Sequence, residues 1–502
     1  MLLPLLVLST QAWPLSKAES TNYDATSSYQ DVVDFMNTIQ KMGAPMTMQW
    51  IGESTEGRKI PLAIISNPPV KSAKEARAQG KLVVYIQGNI HAGEVEGKEA
   101  ALHLLRKIAQ DHKFKGSDWL KHMVILMNPI YNADGNEKWG PVERNRPEQD
   151  GPKVVGVRPN GQGFDLNRDS IKAESPEMRA AMDHIFRPWD PDAVLDLHTT
   201  DGTRHGFDLT YAPPLHPNTD PAILSYSRDK LMPDVRKESV QKYGKDLFDY
   251  GNGSRGETPR WSSFEPYGRY VTNYAGLAGR IGVLSEATTF IPFKDRIVAT
   301  ERFVTSVLDH FVKNRANILK MRANFKMPEE LGVKFAMAQG RVEDVPIERL
   351  AAGERPPSTG RPKVTEMIKM QVWDRFVATR MAKVPRAYVI PRTEVKLMRL
   401  LTRHGIDFTT IKTAEPAPAE IFTITKFTRA NNAFQGHRLI SLEGTFRPET
   451  LTLSPGDYVV PTNQRLGRLA FTMLEPEAED NAAAWGFLGE ELSGDYPIKK
   501  VY

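Results

Sequence analysis

Leu82-Val83-Val84-Tyr85-Ile86, then Gln87-Gly88-Asn89-Ile90-His91-Ala92-Gly93-Glu94, then Val95 to Gln110 are three consecutive stretches with three different patterns. The first is a short apolar run rich in β-branched residues. The second is short and Gly-containing, and the third carries apolar residues at helical spacing. That order reads as strand, tight turn, helix. A His and a Glu three apart at such a turn can both point at one spot beyond the strand's carboxyl end. Neutral imidazole and carboxylate are what a divalent zinc ion takes. This is the only His-x-x-Glu among the 11 histidines. Such a pair also arises by chance, so it gains weight only if the chain supplies a third ligand, an anion-binding arginine and a general base.

Composition narrows what else the chain can be. At 502 residues it is long enough for two to three domains. Hydrophobic residues are 40% and charged residues 25%, ordinary for a soluble globular protein. The formal charge of +5 is small and its Lys and Arg are scattered, which argues against a nucleic-acid partner. With no cysteine, disulfides and thiolate metal sites are excluded, and any metal must rest on His and carboxylates. Met1 to Leu8, followed by Ser9-Thr10-Gln11-Ala12, has the apolar and cleavage parts of a secretory signal without its positive start. Read as a truncated signal it implies a secreted or periplasmic protein; a chance apolar end would leave the chain cytoplasmic. No later run approaches the ~20 apolar residues of a membrane span.

Strands and helices alternate through the first two thirds of the chain. Tyr29 to Met42 has helical periodicity, and Met46 to Ile51 and Lys59 to Ile65 read as strands around a turn. Met123 to Ile130, Ala193 to Thr199 and Arg280 to Ser285 are further strands. Ser175-Pro176-Glu177 opens a helix, Ala222 to Tyr243 is helical apart from Pro233, and Asp295 to about Phe325 is a long helix. This predicts an α/β fold, a mixed sheet flanked by helices, with candidate ligands at strand ends. The Pro-rich segment Glu354 to Pro362 marks a boundary. Residues 1–22 are expected to be signal and loose N-terminus, 23–325 the α/β domain, 326–362 a linker, and 363–502 a smaller β-rich accessory domain. Within the last, Glu394 to His404 reads as an amphipathic helix ended by Gly405.

The remaining candidates fall at strand ends and in one long loop. His198 ends a strand and is the natural third metal ligand, with His205 its rival in the following loop. Three protein ligands leave a fourth position for water, as in a catalytic zinc site. The Gly-, Pro- and Asn-rich region from Tyr131 to Arg168 gathers Arg144, Arg146, Arg158 and Arg168. Arginine forks onto carboxylates and can stabilise a developing oxyanion. Glu286 closes the strand Ile-Gly-Val-Leu-Ser-Glu, where a carboxylate is costly without a task or a partner.

Taken together, Ile51-Gly-Glu-Ser-Thr-Glu-Gly-Arg58, the His-x-x-Glu turn, Asn132-Ala-Asp-Gly135, Arg144-Asn-Arg146, Asp165-Leu-Asn-Arg168, His198 and Glu286 resemble the zinc carboxypeptidase family, over roughly residues 25 to 320. The resemblance implies that His91, Glu94 and His198 hold one zinc ion per chain. It implies that Asp165 orients the first histidine, that Arg146 serves the oxyanion with Arg158 as fallback, that Asn167 and Arg168 grip a terminal carboxylate, and that Glu286 is the general base. The family's mobile substrate-binding tyrosine has no clear match among Tyr267, Tyr270 and Tyr274. The implied activity is zinc-dependent hydrolysis of the C-terminal peptide bond. The alternative is amide hydrolysis of another substrate, an acylated amino acid or a peptidoglycan peptide; a binding module without activity is the third reading. Side-chain preference is unreadable, since Val271, Asn273 and Arg255 point different ways.

Overall fold

The computed structural model describes residues 12–114, 117–350 and 359–502. The signal-like stretch from Met1 to Gln11 lies outside the described residues, as does most of the Pro-rich segment. An eight-stranded sheet forms the centre. In chain order its strands are β1 (Met46–Glu53), β2 (Lys59–Ile65), β3 (Leu82–Gly88), β4 (Met123–Asn128), β5 (Ala193–Thr200), β6 (Leu209–Ala212), β7 (Phe248–Asp249) and β8 (Ile281–Thr288). Across the sheet they run β1-β2-β4-β3-β5-β8-β6-β7. β4, β3, β5 and β8 are parallel, while β1 and β2 on one side and β6 on the other pair antiparallel, so the sheet is mixed as expected.

The four central strands are buried along their whole length, which is why they read as near-continuous apolar runs. Side-chain alternation divides them between two layers. On one face Val84, Ile86, Ile125, Leu195 and Val283 pack against helices Tyr29–Lys41, Glu96–Phe114 and Phe293–Ala323 through Phe35, Leu105 and Phe303. On the other, Val83, Tyr85, Val124 and Val194 pack against Met178, Ile185, Tyr274 and Leu277. Each such fully buried aliphatic side chain stabilises the fold by roughly 1.5–3 kcal/mol. Ser28 and Ser175 cap their helices as their sequence context dictates, the second with Pro176 in the first turn. No helix among the described residues is long and apolar enough to cross a membrane.

The C-terminal part is β-rich. Its seven-stranded sheet is built from Ala387–Ile390, Thr409–Thr410, Glu415–Arg429, Ile440–Leu453, Tyr458–Pro461, Gly494–Asp495 and Lys499–Val501. Gly405 ends helix Val395–His404 at φ 79°, the left-handed cap conformation that favours glycine. Two features were not expected. Glu330–Ala338 and Arg341–Glu348, within the stretch read as a linker, are strands that pair with Arg375–Lys383 and Thr365–Trp373; buried, half-buried and exposed positions are mixed along both, so neither reads as a continuous apolar run. Helix Gly467–Leu474 is buried along its whole length, its polar residues Arg468 and Thr472 included.

Candidate active site

The turn after β3 holds the first two site residues. Glu94 N–H donates to the His91 carbonyl at 2.9 Å, and Asn89 adopts φ 64°, a conformation asparagine tolerates better than most residues. A side chain at Gly93 would meet Arg146 Cγ at 2.9 Å and the Gly156 carbonyl at 3.1 Å, so glycine there lets the arginine-bearing loop close over the turn. His198 lies near the carboxyl end of β5, in direct register with Glu286 on β8. Alternation puts Asp196 and His198, and beside them Leu284 and Glu286, on the face opposite Leu195 and Leu197. The parallel strands therefore deliver His91, Glu94, His198 and Glu286 to one edge of the sheet.

The donor atoms converge. His91 Nδ1 and His198 Nδ1 stand 3.2 Å apart, and Glu94 reaches them with Oε1 at 3.0 Å from the first and Oε2 at 3.0 Å from the second. Donors about 2.0–2.1 Å from a tetrahedral zinc ion are spaced about 3.3 Å from one another. Behind the rings, His91 Nε2 is 2.9 Å from Asp165 Oδ1 and His198 Nε2 is 2.9 Å from Asp196 Oδ2. A carboxylate behind each ring keeps the proton on Nε2 and turns the Nδ1 lone pair inward. Burial alone would lower the basicity of His198, but Asp196 and Glu94 outweigh it and hold its pKa well above the ordinary value. The pocket thus favours positive charge where the lone pairs meet, and three buried donors of this kind fit zinc.

Around the donors lies a cavity of about 580 Å³ lined by Arg146, Arg158, Asp165, Asn167, Arg168, Tyr270 and Glu286 among others. Both candidate oxyanion arginines approach Glu94 Oε1, Arg146 at 3.3 Å and Arg158 at 3.4 Å. They differ in what else they touch. Arg146 is 11% exposed and also donates to the Thr199 carbonyl at 3.1 Å, whereas Arg158 is 40% exposed and braced by Asp165 at 2.9 Å. Arg144 is exposed, donates to its neighbour Asn145 and is not among the residues that line the cavity. Asn167 Oδ1 accepts from the Val271 N–H at 2.9 Å, and the Arg168 guanidinium stacks 4.4 Å above the Tyr270 ring. Glu286 opens into the cavity; burial, with Glu94 and Asp201 nearby, pushes its pKa up to about 8 against the pull of His198 and Arg146.

Several expectations separate here. His205 is buried in an aromatic cluster against Phe207 and Trp261, away from the donors, and burial lowers its pKa to about 4. Of the three tyrosines, Tyr270 lines the cavity, while Tyr274 bonds His404 in the interior. Asp196, Tyr250 and Glu265 belong to the site and were not singled out from sequence. Asp196 had a usable signal, since it precedes His198 by two on a strand; Tyr250 and Glu265 had none.

Residues 32–204 match the zinc carboxypeptidase family model, a span that includes every site residue named above except Tyr250, Glu265, Tyr270 and Glu286 and their neighbours beyond it. The chain is 25% identical to Carboxypeptidase 2 of Trichophyton tonsurans over 93% of its own length and 85% of the relative's. It is 24% identical to Carboxypeptidase 2 of Trichophyton rubrum over 98% of this chain and 90% of that one. Among solved structures, the carboxypeptidase A of Helicoverpa armigera aligns with a TM-score of 0.42 and 18% identity over 59% of this chain and 75% of that chain. Residues 32–204 thus match the zinc carboxypeptidase family, and the similarity to these relatives along most of the chain supports a metallocarboxypeptidase-type hydrolase.

Proposed function

We propose that the enzyme removes the C-terminal residue of peptides, with His91, Glu94 and His198 holding one zinc ion. When bound, zinc supplies Lewis acidity, activating water and polarising a carbonyl oxygen. Glu286, raised into the neutral range, takes the proton of the attacking water and returns it to the leaving amine. Arg158 is the more exposed of the two arginines and donates to the carbonyl oxygen as it turns negative, while Arg146, closed off by Glu94 and Thr199, balances the charge of Glu94. This reverses the order expected from the sequence, where Arg158 was the fallback. Asn167 and Arg168 bind the terminal carboxylate, with Tyr270 beneath the guanidinium.

The observation that carries the reading is the shared cavity: a metal-type donor set, an acid and an arginine–asparagine pair line the same space. The test is hydrolysis of N-blocked dipeptides beside their C-terminally amidated counterparts, with zinc content measured on the same sample. Only the free acids should be cleaved, and Glu286→Gln should keep zinc while turnover falls by about 10²–10⁴. Equal cleavage of the amides would move the assignment to an amide hydrolase acting on acylated amino acids or peptidoglycan peptides. Unchanged turnover in the variant would remove Glu286 from the mechanism.

A further inference from the structure

The C-terminal unit reaches into the substrate cavity's supporting wall. Asp480 lies in the segment after helix Gly467–Leu474, with its side chain wholly buried. Its Oδ2 accepts from Arg269 twice, from the backbone N–H at 2.8 Å and from Nε at 3.0 Å, and its Oδ1 lies 2.6 Å from Nη2 as the second contact of the ion pair. The Arg269 guanidinium is also enclosed by three rings, Tyr267 at 4.5 Å, Trp485 at 5.1 Å and Phe434 at 5.2 Å, the last two from the C-terminal unit. A buried, bidentate ion pair stacked on aromatics is a rigid joint.

What hangs on that joint is the turn 267–271, and the turn sets the groups proposed to bind the terminal carboxylate. The Arg269 carbonyl accepts from the Ser170 N–H at 3.3 Å, and the Val271 N–H donates to Asn167 Oδ1 at 2.9 Å. The second bond fixes the amide of Asn167 with its oxygen inward and its NH₂ toward the cavity. Tyr270, between them, carries the Arg168 guanidinium on its ring. From the other side Gln435, in the loop before strand Ile440–Leu453, accepts from the Asp165 N–H at 2.8 Å. The segment 165–168 is thus gripped at one end by Gln435 and aligned at the other by a turn that Asp480 holds.

We propose that Asp480 is a positioning residue for substrate binding: through Arg269 it fixes the turn 267–271, and so the alignment of Asn167 and Arg168 on the terminal carboxylate. The proposal rests on the reading of Asn167 and Arg168 as that carboxylate's binding pair. It gives the C-terminal unit a part in recognition rather than in the chemical step. Interactions made alike in ground and transition states act on KM, so loss of the joint should weaken binding and leave the bound complex's rate close to normal.

The experiment is steady-state kinetics on one N-blocked dipeptide with wild type, Asp480→Asn, Arg269→Gln, the double variant and Arg168→Ala, zinc content being matched. Asp480→Asn and Arg269→Gln should each raise KM about tenfold with kcat within about threefold, and the double variant should be no worse than either, because the two act as one unit. A fall in kcat at unchanged KM, or additive effects, would overturn the proposal. Where Asp480→Asn does not fold, Arg269→Lys keeps the cation among the rings but loses the fork; KM should rise there too, and an unchanged KM counts against it. Arg168→Ala separates the two ideas. If it leaves KM unmoved, the carboxylate reading itself fails; if it raises KM while the Asp480 and Arg269 variants do not, only the positioning role fails.

Discussion

Asp196 stands two residues before His198 on β5, faces the same way, and lies 2.9 Å from the ring nitrogen that points away from the donor cluster. Its other oxygen accepts from Gln87 Nε2 at 2.9 Å, so the carboxylate cannot swing aside. Neutralising it with Asp196→Asn removes the charge that makes His198 a strong donor, and zinc affinity should drop about 10- to 100-fold. Competition against a chromophoric chelator measures this directly, and an unchanged affinity would mean that strand geometry alone orients the ring. The legibility of the site follows the same local rule. His91 and Glu94 could be read because a strand and a turn place them within four residues, and His198 because it ends a strand. Asp196 is readable by alternation, although a single acid within an apolar run carries no motif of its own. Tyr250 and Glu265 were beyond reach, because their walls are set by the parallel pairing of Arg260–Ser262 with Gln371, Val372 and Trp373, a hundred residues on. Arg146 and Arg158 share one loop, and it is their different exposure and different partners, Thr199 and Asp165, that tell them apart.

Between elements, polar joints do what periodicity cannot announce. Helix Glu96–Phe114 was legible from its apolar stripe, yet its His103 is a buried connector to two other helices. Nε2 faces Glu19 at 3.4 Å and Ser16 Oγ at 3.3 Å, and Nδ1 faces Glu301 at 3.5 Å on helix Phe293–Ala323. Burial lowers the pKa and Arg106 nearby opposes the charge, but the bonds to Glu19 and Glu301 prevail and hold the imidazole at about 9, against 6.5 for the free side chain. Because the folded value is the higher one, the joint's stabilisation is complete below pH 6.5 and is lost as pH rises through 9. The shift corresponds to at most about 3 kcal/mol. Melting temperature should therefore fall between pH 6 and 9.5 more steeply in wild type than in His103→Gln, and parallel curves would exclude His103 as the titrating group. Helix Pro221–Tyr243 shows the opposite case, where a local signal overstated a break. Pro233 was read as an interruption, but the wider turn Tyr226–Leu231 precedes it and the helix continues to Tyr243.

At the scale of the whole chain, the boundary read from the Pro-rich segment hides how far the two parts share an interior. One apolar cluster runs from Ile51, Tyr274 and Leu277 of the α/β part to Ile390, Leu401, Phe471 and Trp485 of the β-rich part. Polar groups cross the same seam: His404 meets Tyr274 Oη at 3.0 Å and the Ile171 carbonyl at 2.8 Å, and Arg468 donates to the Asn218 carbonyl at 3.2 Å. Burial lowers the pKa of His404 to about 4, so it stays neutral there across the physiological range. None of these pairs could be read in advance, since each joins residues more than a hundred positions apart and no local pattern marks them. Large chains with separable cores unfold in steps, one core at a time. Here, unfolding the β-rich part would strip Tyr274, Leu277 and Ile171 of their cover and release the turn that Asp480 holds. The α/β part would then expose apolar surface at its own active-site wall. Calorimetry of the zinc-loaded protein should accordingly show one endotherm, with activity and tyrosine and tryptophan fluorescence lost at the same midpoint. Two resolved transitions, with activity surviving the first, would mean that the α/β part supports its substrate wall unaided.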